Sequence, residues 1–382
     1  MPAKLLQRLF AQLAVAAVTV IGVFSFGPTP SMAQETLRLH MFSPFSGPLA
    51  FYGPAIRQGF DLALEDSSAA LTGRKVEVIN VDDECKPEKA VSSLNKILDE
   101  ALLLLGPVCT GNLLATQRTL IEEKIPHIFM GYGAIVTQKN DPLVVAASVS
   151  DKAMSEAIIK WGLDNKKVKK WAVIHDTTGY GAAGAQTFAA AIAGIAGTQL
   201  VKAVNFKPGE REFTGLLKSL ENEKADAIFL IGYEVDLGIL VKQAGQAGIK
   251  TPLIGSAAFV NPELSKAAAP HAEGIPFVTM MIPSDPNPAV QAFVKKFQAK
   301  HGVTPKDTAT LGYVTGLVFA DAVKRIKGKV TRENLAQAIK STKIADSPVG
   351  AIEYDATGAR KGDKLSVIGV IKDGAPSFLT RN

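Results

Sequence analysis

Residues 171–184 read WAVIHDTTGYGAAG, a short apolar run followed by a glycine-rich turn and the start of an alanine-rich segment. The run 171–174 is typical of a buried strand, and segment 182–196 predicts a helix. A strand that feeds a helix in this way is half of the βαβ unit from which parallel sheets are built. The stretch therefore predicts an α/β fold.

The same alternation of apolar strands and amphipathic helices extends along the chain on both sides of a linker near Ser148 and Ser150. Two such runs in series predict two doubly wound α/β lobes with mainly parallel sheets. Strands are predicted at 37–42, 76–81, 102–105, 127–130, 171–174, 200–206 and 227–231, with β-type patterning at 349–354 and 365–371. The first lobe is predicted to hold residues 34–148 and 281–346, and the second lobe residues 149–280 and 347–382.

The N-terminal segment 1–33 has the pattern of a secretory signal peptide. It begins with basic residues, continues with an apolar run at 13–26 and ends in the small residues of 31–33. The run is shorter than the roughly 20 residues that a membrane anchor requires. We expect cleavage near Ala33 and a periplasmic mature chain that is not inserted in the membrane. Gln34 rather than cysteine follows the cut, so no lipid attachment is expected.

The composition is that of an ordinary globular protein, with 47% hydrophobic and 20% charged residues and a net charge of +6. The densest basic cluster, within 166–170, is interpreted as a solvated turn before a strand, and no nucleic-acid partner is expected. Cys85 and Cys109 are the two cysteines. In an exported protein such a pair indicates a disulfide, with metal binding as the weaker alternative. No metal or cofactor is predicted.

One local pattern, Gly179-Tyr180-Gly181-Ala182-Ala183-Gly184, fits the dinucleotide fingerprint. That fingerprint also needs an acidic residue about twenty positions later, where this chain has Val204 and Asn205. We interpret the turn as one that presents Tyr180 to a cleft. The sequence contains no G-x-S-x-G, H-E-x-x-H or P-loop motif, and the acidic triplet 82–84 has no matching nucleophile, so an enzyme is not expected.

Loops after the predicted strands are the candidate ligand site, because open α/β sheets bind ligands at the carboxyl ends of their strands. The loop 43–53 is rich in turn formers and aromatic residues. Segment 109–112 precedes a helix, whose first N–H groups suit a carboxylate. Tyrosines and small polar residues in the other loops suit a small organic ligand.

The loop motifs, taken in order, resemble those of the periplasmic branched-chain amino-acid-binding proteins, the leucine-type substrate-binding proteins of ABC transporters. The resemblance spans essentially the whole mature chain. It is carried by 46–53 (SGPLAFYG), 82–91 (DDECKPEKAV), 174–176 with Tyr180 and Gly181, and Ile254 with Gly255. It implies a type I periplasmic binding fold with three crossovers between the lobes. It also implies a Cys85–Cys109 disulfide and delivery of ligand to the permease of an ABC importer.

The chain departs from the family pattern where the family has a glutamate that receives the ligand's ammonium group. The matching residue is Ala257; Glu234 of the neighbouring loop could substitute for it or could equally face solvent. An ammonium group buried without a partner is costly. We therefore expect a carboxylate ligand without an α-ammonium group, with an aromatic or branched apolar body. A branched-chain amino acid remains the alternative.

The predicted protein is a monomeric binding protein, with a ligand-sensing receptor on the same fold as the rival interpretation. The expected ligand-binding residues are Phe51, Tyr52, Thr110, Gly111, Asn112, Gly131, Tyr132, Gly133, Tyr180, Tyr233, Glu234, Ala257 and Phe259.

Overall fold

A computed structural model describes residues 35–362 and 365–381. The predicted signal peptide lies outside the described residues. Within them, no helix combines the length and the apolar character needed to cross a membrane.

The first sheet has five strands in the order β2-β1-β3-β4-β5, and every neighbouring pair is parallel. Helices cover this sheet, and the side chains of its buried strands are therefore mainly apolar. The strands are β1 (Thr36–Ser43), β2 (Lys75–Asp82), β3 (Leu103–Leu105), β4 (His127–Phe129) and β5 (Val144–Ala146).

The second sheet repeats this order as β7-β6-β8-β9-β10 and adds two antiparallel strands, β13 and β14, beyond β10. Its strands are β6 (Lys170–Asp176), β7 (Gln199–Phe206), β8 (Ala227–Ile231), β9 (Leu253–Gly255), β10 (Pro276–Thr279), β13 (Val367–Lys372) and β14 (Ala375–Arg381). A short separate pair consists of β11 (Lys343–Ile344) and β12 (Ile352–Glu353).

Eleven α-helices of the described residues connect or cover these strands. They are α1 (Tyr52–Asp66), α2 (Pro87–Leu94), α3 (Thr110–Glu122), α4 (Asp151–Trp161), α5 (Gly179–Gly194), α6 (Thr214–Glu221), α7 (Glu234–Gln246), α8 (Pro262–Ala268), α9 (Pro288–His301), α10 (Asp307–Arg325) and α11 (Arg332–Lys340). The mainly parallel sheets in two lobes confirm the predicted fold class.

The chain crosses between the lobes three times. It passes from β5 to α4, then from β10 back to the first lobe, where α10 packs on α1, and finally into β13. Ala146 of β5 donates a hydrogen bond to the Gly358 carbonyl at 2.9 Å. The chain at residue 358 therefore still lies beside the first lobe. Arg360 likewise donates to the Ala147 carbonyl at 3.2 Å. The predicted boundary at residue 347 remains a proposal, and these contacts favour a later crossover, after Arg360.

Helices α1 and α10 touch backbone to backbone, and this contact holds the returning segment to the first lobe. A β-carbon at Gly59 would lie 1.9 Å from the Ala309 carbonyl oxygen, and one at Gly312 would lie 1.9 Å from the Ile56 carbonyl oxygen. Only glycine fits at either position without moving a helix.

Gly312→Ala is therefore expected to lower the free energy of unfolding by about 1–3 kcal/mol, the usual cost of overpacking. Gly215→Ala in α6 is the matched control, because a β-carbon there meets no atom within 4 Å. Urea unfolding followed by circular dichroism measures both variants. Equal stability of the two would contradict the proposed packing constraint.

Candidate ligand-binding site

The carboxyl ends of the strands in the two sheets meet around one cavity. Strand order reverses beside β1 in the first sheet and beside β6 in the second, and such switch points leave a crevice at the strand ends. The cavity is lined by Tyr52, Val108, Thr110, Gly131, Tyr132, Tyr180, Gly232, Tyr233, Glu234, Ala257, Ala258, Asn261, Asp307, Thr308 and Leu311.

Eight of the residues expected from the sequence lie on this cavity. They are Tyr52, Thr110, Gly131, Tyr132, Tyr180, Tyr233, Glu234 and Ala257. The four tyrosine side chains are largely buried, and burial raises the pKa of each hydroxyl. They are therefore neutral at physiological pH and supply ring surface and hydroxyl groups.

The other five expected residues stand apart from the cavity. Phe51 packs edge-on against Tyr52 with ring centroids 4.9 Å apart. Phe259 is fully buried and stacks on Phe277 in the core of the second lobe, because its ring turns back over Gly255. The remaining three are not part of the cavity lining. Gly111 contacts Gly179, Asn112 lies beside Asp83, and Gly133 packs against Thr110.

Glu234 is a fully buried carboxylate that links the two lobes. Its Oε1 accepts a hydrogen bond from the Tyr52 hydroxyl at 2.7 Å and another from the Asn261 side-chain amide. Its Oε2 has no hydrogen-bond partner within the protein. Burial raises the pKa of Glu234 to about 7 despite these hydrogen bonds.

Asp307 is a second buried carboxylate in the cavity, and no sequence pattern had indicated it. It opens α10, accepts a hydrogen bond from the Tyr132 hydroxyl and receives a longer one from Thr279 at 3.4 Å. Burial raises the pKa of Asp307 to about 7, and the charge of Glu234 adds to the effect. No lysine, arginine or histidine is among the described residues that line the cavity. The site is therefore acidic and lacks an internal counterion.

The first turn of α3 provides the opposite kind of group. The N–H groups of Asn112 and Leu113 both donate to the Cys109 carbonyl, so those of Thr110 and Gly111 precede the hydrogen bonds of the helix. Such N–H groups and the helix dipole favour a negative charge. Since Thr110 lines the cavity, this end of the site suits an anionic group.

The predicted disulfide is present and braces the same turn. Cys85 and Cys109 are joined with their α-carbons 5.6 Å apart, and this confirms the pairing. The bond ties the loop after β2 to the residue immediately before Thr110. It also touches the second lobe, because the Cys85 sulfur lies 3.6 Å from the Tyr233 hydroxyl.

The lobes also meet where two helices begin. A β-carbon at Gly179, the first residue of α5, would lie 2.7 Å from the Gly111 α-carbon and 2.9 Å from the Gly111 nitrogen. A second contact is the ion pair between Lys306, just before α10, and Glu263 of α8. The structure is thus a form in which the lobes touch on both sides of the cavity.

A family model for periplasmic binding proteins matches residues 36–375. The chain belongs to the periplasmic binding protein family. Substrate-binding proteins of this family are not enzymes and deliver ligands to ABC transporter permeases, and this is the role of the present member.

Individual relatives differ in what they bind. The chain is 26% identical to a leucine-, isoleucine-, valine-, threonine- and alanine-binding protein of Pseudomonas aeruginosa, over 96% of each chain. It is also 26% identical to a solute-binding protein from R. palustris solved with benzoate, with a TM-score of 0.79, covering 91% of this chain and 96% of that one. A leucine-binding protein from Thermotoga maritima has the same fold, with a TM-score of 0.83 at 24% identity, covering 90% of this chain and 98% of that one.

Gly179→Ala is expected to hinder closure of the lobes, because its methyl group would overlap the backbone at Gly111. We expect ligand affinity to fall by about ten- to a hundredfold, the cost of overpacking one contact. The control is Gly111→Ala, whose β-carbon would meet Gly179 at an ordinary 3.6 Å. Calorimetric titration with the native ligand, identified by mass spectrometry of purified protein, compares the two. Equal affinities would show that closure does not bring these turns together.

The raised pKa of Glu234 makes the ligand-free protein less stable at alkaline pH. Protonated Glu234 contributes to the free energy of unfolding. This contribution is fully present below pH 4.5 and is lost as the pH rises through about 7. Glu234→Gln removes this dependence and should be more stable than the wild type at pH 8, by roughly 3 kcal/mol. At pH 5 the difference should be small. Urea unfolding at both pH values measures it, with exposed Glu212→Gln as the control. A stability difference independent of pH would contradict the assignment.

Proposed function

We propose that the protein captures a small solute that carries an ammonium group, most simply an α-amino acid, in the cavity between its lobes. The observation that supports this is the pair of buried carboxylates, Glu234 and Asp307, in a cavity lined by no basic side chain of the described residues. An ammonium group placed there would pair with both acids and offset the cost of burying them.

The proposal revises the ligand expected from the sequence. A carboxylate without an ammonium group was expected because Ala257 offers no charge, and that expectation treated Glu234 as a residue that could equally face solvent. In the structure, Glu234 and Ala257 line the same cavity, and the Oε2 atom of Glu234 has no partner within the protein. A ligand carrying only a carboxylate would meet two acids, both of which oppose its charge when ionised.

The remaining groups of the site suit the rest of an amino acid. The first turn of α3 can receive the ligand carboxylate, and the tyrosine rings and Leu311 can cover an apolar side chain. The amino-acid-binding relative from Pseudomonas aeruginosa supports this assignment. The benzoate-bound relative supports a second candidate, an aromatic carboxylate, which the four tyrosine rings could sandwich while Glu234 and Asp307 are protonated.

Ligand capture is expected to occur in the periplasm. The family is periplasmic, and the signal-like segment 1–33 supports export of this chain. N-terminal sequencing of the exported protein should find Gln34 or a neighbouring residue first.

The sign of the pH dependence separates the two candidate ligands. Since both acids have a pKa near 7, an ammonium ligand should bind more tightly as the pH rises from 6 to 8 and should release protons on binding. Benzoate or an oxo acid should bind more weakly over the same range. Calorimetric titrations with leucine, valine, the matching oxo acids and benzoate, each in two buffers of different ionisation enthalpy, measure the affinity and the protons together.

Two neutral variants test the roles of the acids. Glu234→Gln and Asp307→Asn should each weaken binding of the ammonium ligand by about a hundredfold or more, because each removes a buried counterion. Glu100→Gln, outside the cavity, should bind as the wild type does. Tight binding of oxo acids or benzoate with no response to amino acids would overturn the proposal in favour of the second candidate.

A further inference from the structure

A second, smaller cavity lies directly behind the ligand cavity, inside the second lobe. We call it the side pocket. It has a volume of about 20 Å³, and the residues of its wall used below are Asp151, Met154, Phe229, Ile231, Ser256 and Val278. A volume of about 10–15 Å³ is enough for one water-sized group. The side pocket therefore has room for the end of a small molecule.

Two residues, Tyr180 and Ala257, line both the side pocket and the ligand cavity. They form a partition between the two spaces, to which the alanine contributes a single methyl group. A ligand seated against the partition can reach the side pocket if the Tyr180 ring turns aside.

The walls of the side pocket are mostly apolar, but they include the buried polar side chains of Asp151, Ser155 and Ser256. Asp151 is 7% exposed and Ser256 is 4% exposed. The Asp151 Oδ1 atom accepts a hydrogen bond from the Ala134 N–H at 2.9 Å, whereas its Oδ2 atom has no partner. The Ser256 hydroxyl lies within hydrogen-bonding reach of the Tyr180 side chain. Buried polar atoms without a partner are rare, and each one carries a desolvation cost.

We infer that the side pocket receives the far end of the ligand and selects a hydrogen-bond donor there, a hydroxyl or amino group, over a methyl group of the same size. A donor would pair with the Asp151 Oδ2 atom. A methyl group would fill the space but leave that atom unpaired. The inference deepens the proposed function and rests on it, because it concerns the same ligand at its opposite end.

Pairs of ligands that differ only in this group provide the test. Threonine is compared with valine, and homoserine with norvaline; 3-hydroxybenzoate and 4-hydroxybenzoate are compared with 3-methylbenzoate and 4-methylbenzoate. Within the class that binds, at least one donor should bind about tenfold or more tightly than its isostere. Calorimetric titration of the ligand-free protein gives each affinity.

Two variants assign the preference to the side pocket. Gly184 lies in its wall, and a β-carbon there would stand 3.2 Å from an Ile231 methyl group and 3.8 Å from Asp151 Oδ2. Gly184→Ala should therefore abolish the preference, because it takes up the space beside Asp151 Oδ2 and weakens the donor more than the isostere. Gly194→Ala is the control on the same helix, because its β-carbon would meet nothing within 4 Å. Asp151→Asn keeps an acceptor for Ala134 and presents an NH2 group to the side pocket. A hydroxyl can accept from that group and should keep its advantage over a methyl group, whereas an amino group on the ligand should lose it.

The outcomes distinguish the two proposals. Amino acids that bind with equal affinity for donor and isostere, or a Gly184→Ala protein that behaves like Gly194→Ala, would overturn the side pocket and leave the proposed function standing. Failure of every amino acid to bind, with hydroxybenzoates preferred over the matching methylbenzoates in a way that Gly184→Ala removes, would overturn the proposed function and support the side pocket.

Discussion

The hydrogen bond from the Tyr52 hydroxyl to Glu234 is the interaction around which the cleft is organised. It joins the start of α1 in the first lobe to the start of α7 in the second, at 2.7 Å and away from solvent. Both residues follow strands of their own sheet, so the bond exists only when the two sheet edges face each other. Every other group of the cavity takes its position from that arrangement.

A buried acid between the lobes favours ligand binding but lowers the stability of the ligand-free protein. Glu234 and Asp307 are costly to ionise while the cleft is closed and empty of positive charge. A ligand that supplies this charge interacts with the closed form far more than with the open one. Because a ligand shifts a conformational equilibrium only by its differential affinity, the acids make closure depend on the ligand.

Particular residues show what the sequence could reveal. Tyr180 and Glu234 were identifiable because each follows a strand whose apolar run is plain. Asp307 was not, because it opens a helix on a segment that returns from the other lobe, and no strand ends there. Strands β5, β9 and β10 have only three or four residues, too few to display a period. Phe259 was expected in the cavity because an aromatic ring after a strand can turn either way, and only packing against Phe277 decides the direction.

The unpaired Oδ2 atom of Asp151 illustrates a different limit. Sequence patterns indicate which residues are buried, but whether a buried oxygen has a partner depends on distances between elements far apart in the chain. Ala257 has the same character. In the sequence, Ala257 indicated only that a charge was missing, whereas in the structure its methyl group lines both cavities.

The contact between Gly111 and Gly179 has a consequence for the surface that the importer meets. The backbones of the two lobes touch there, so this contact limits how closely the lobes can approach each other. Solutes of different shape would shift the tyrosine rings, but the distance between the lobes in the closed form would stay the same. A permease would then recognise one outer shape for every cargo, which separates the choice of solute from the docking of its carrier.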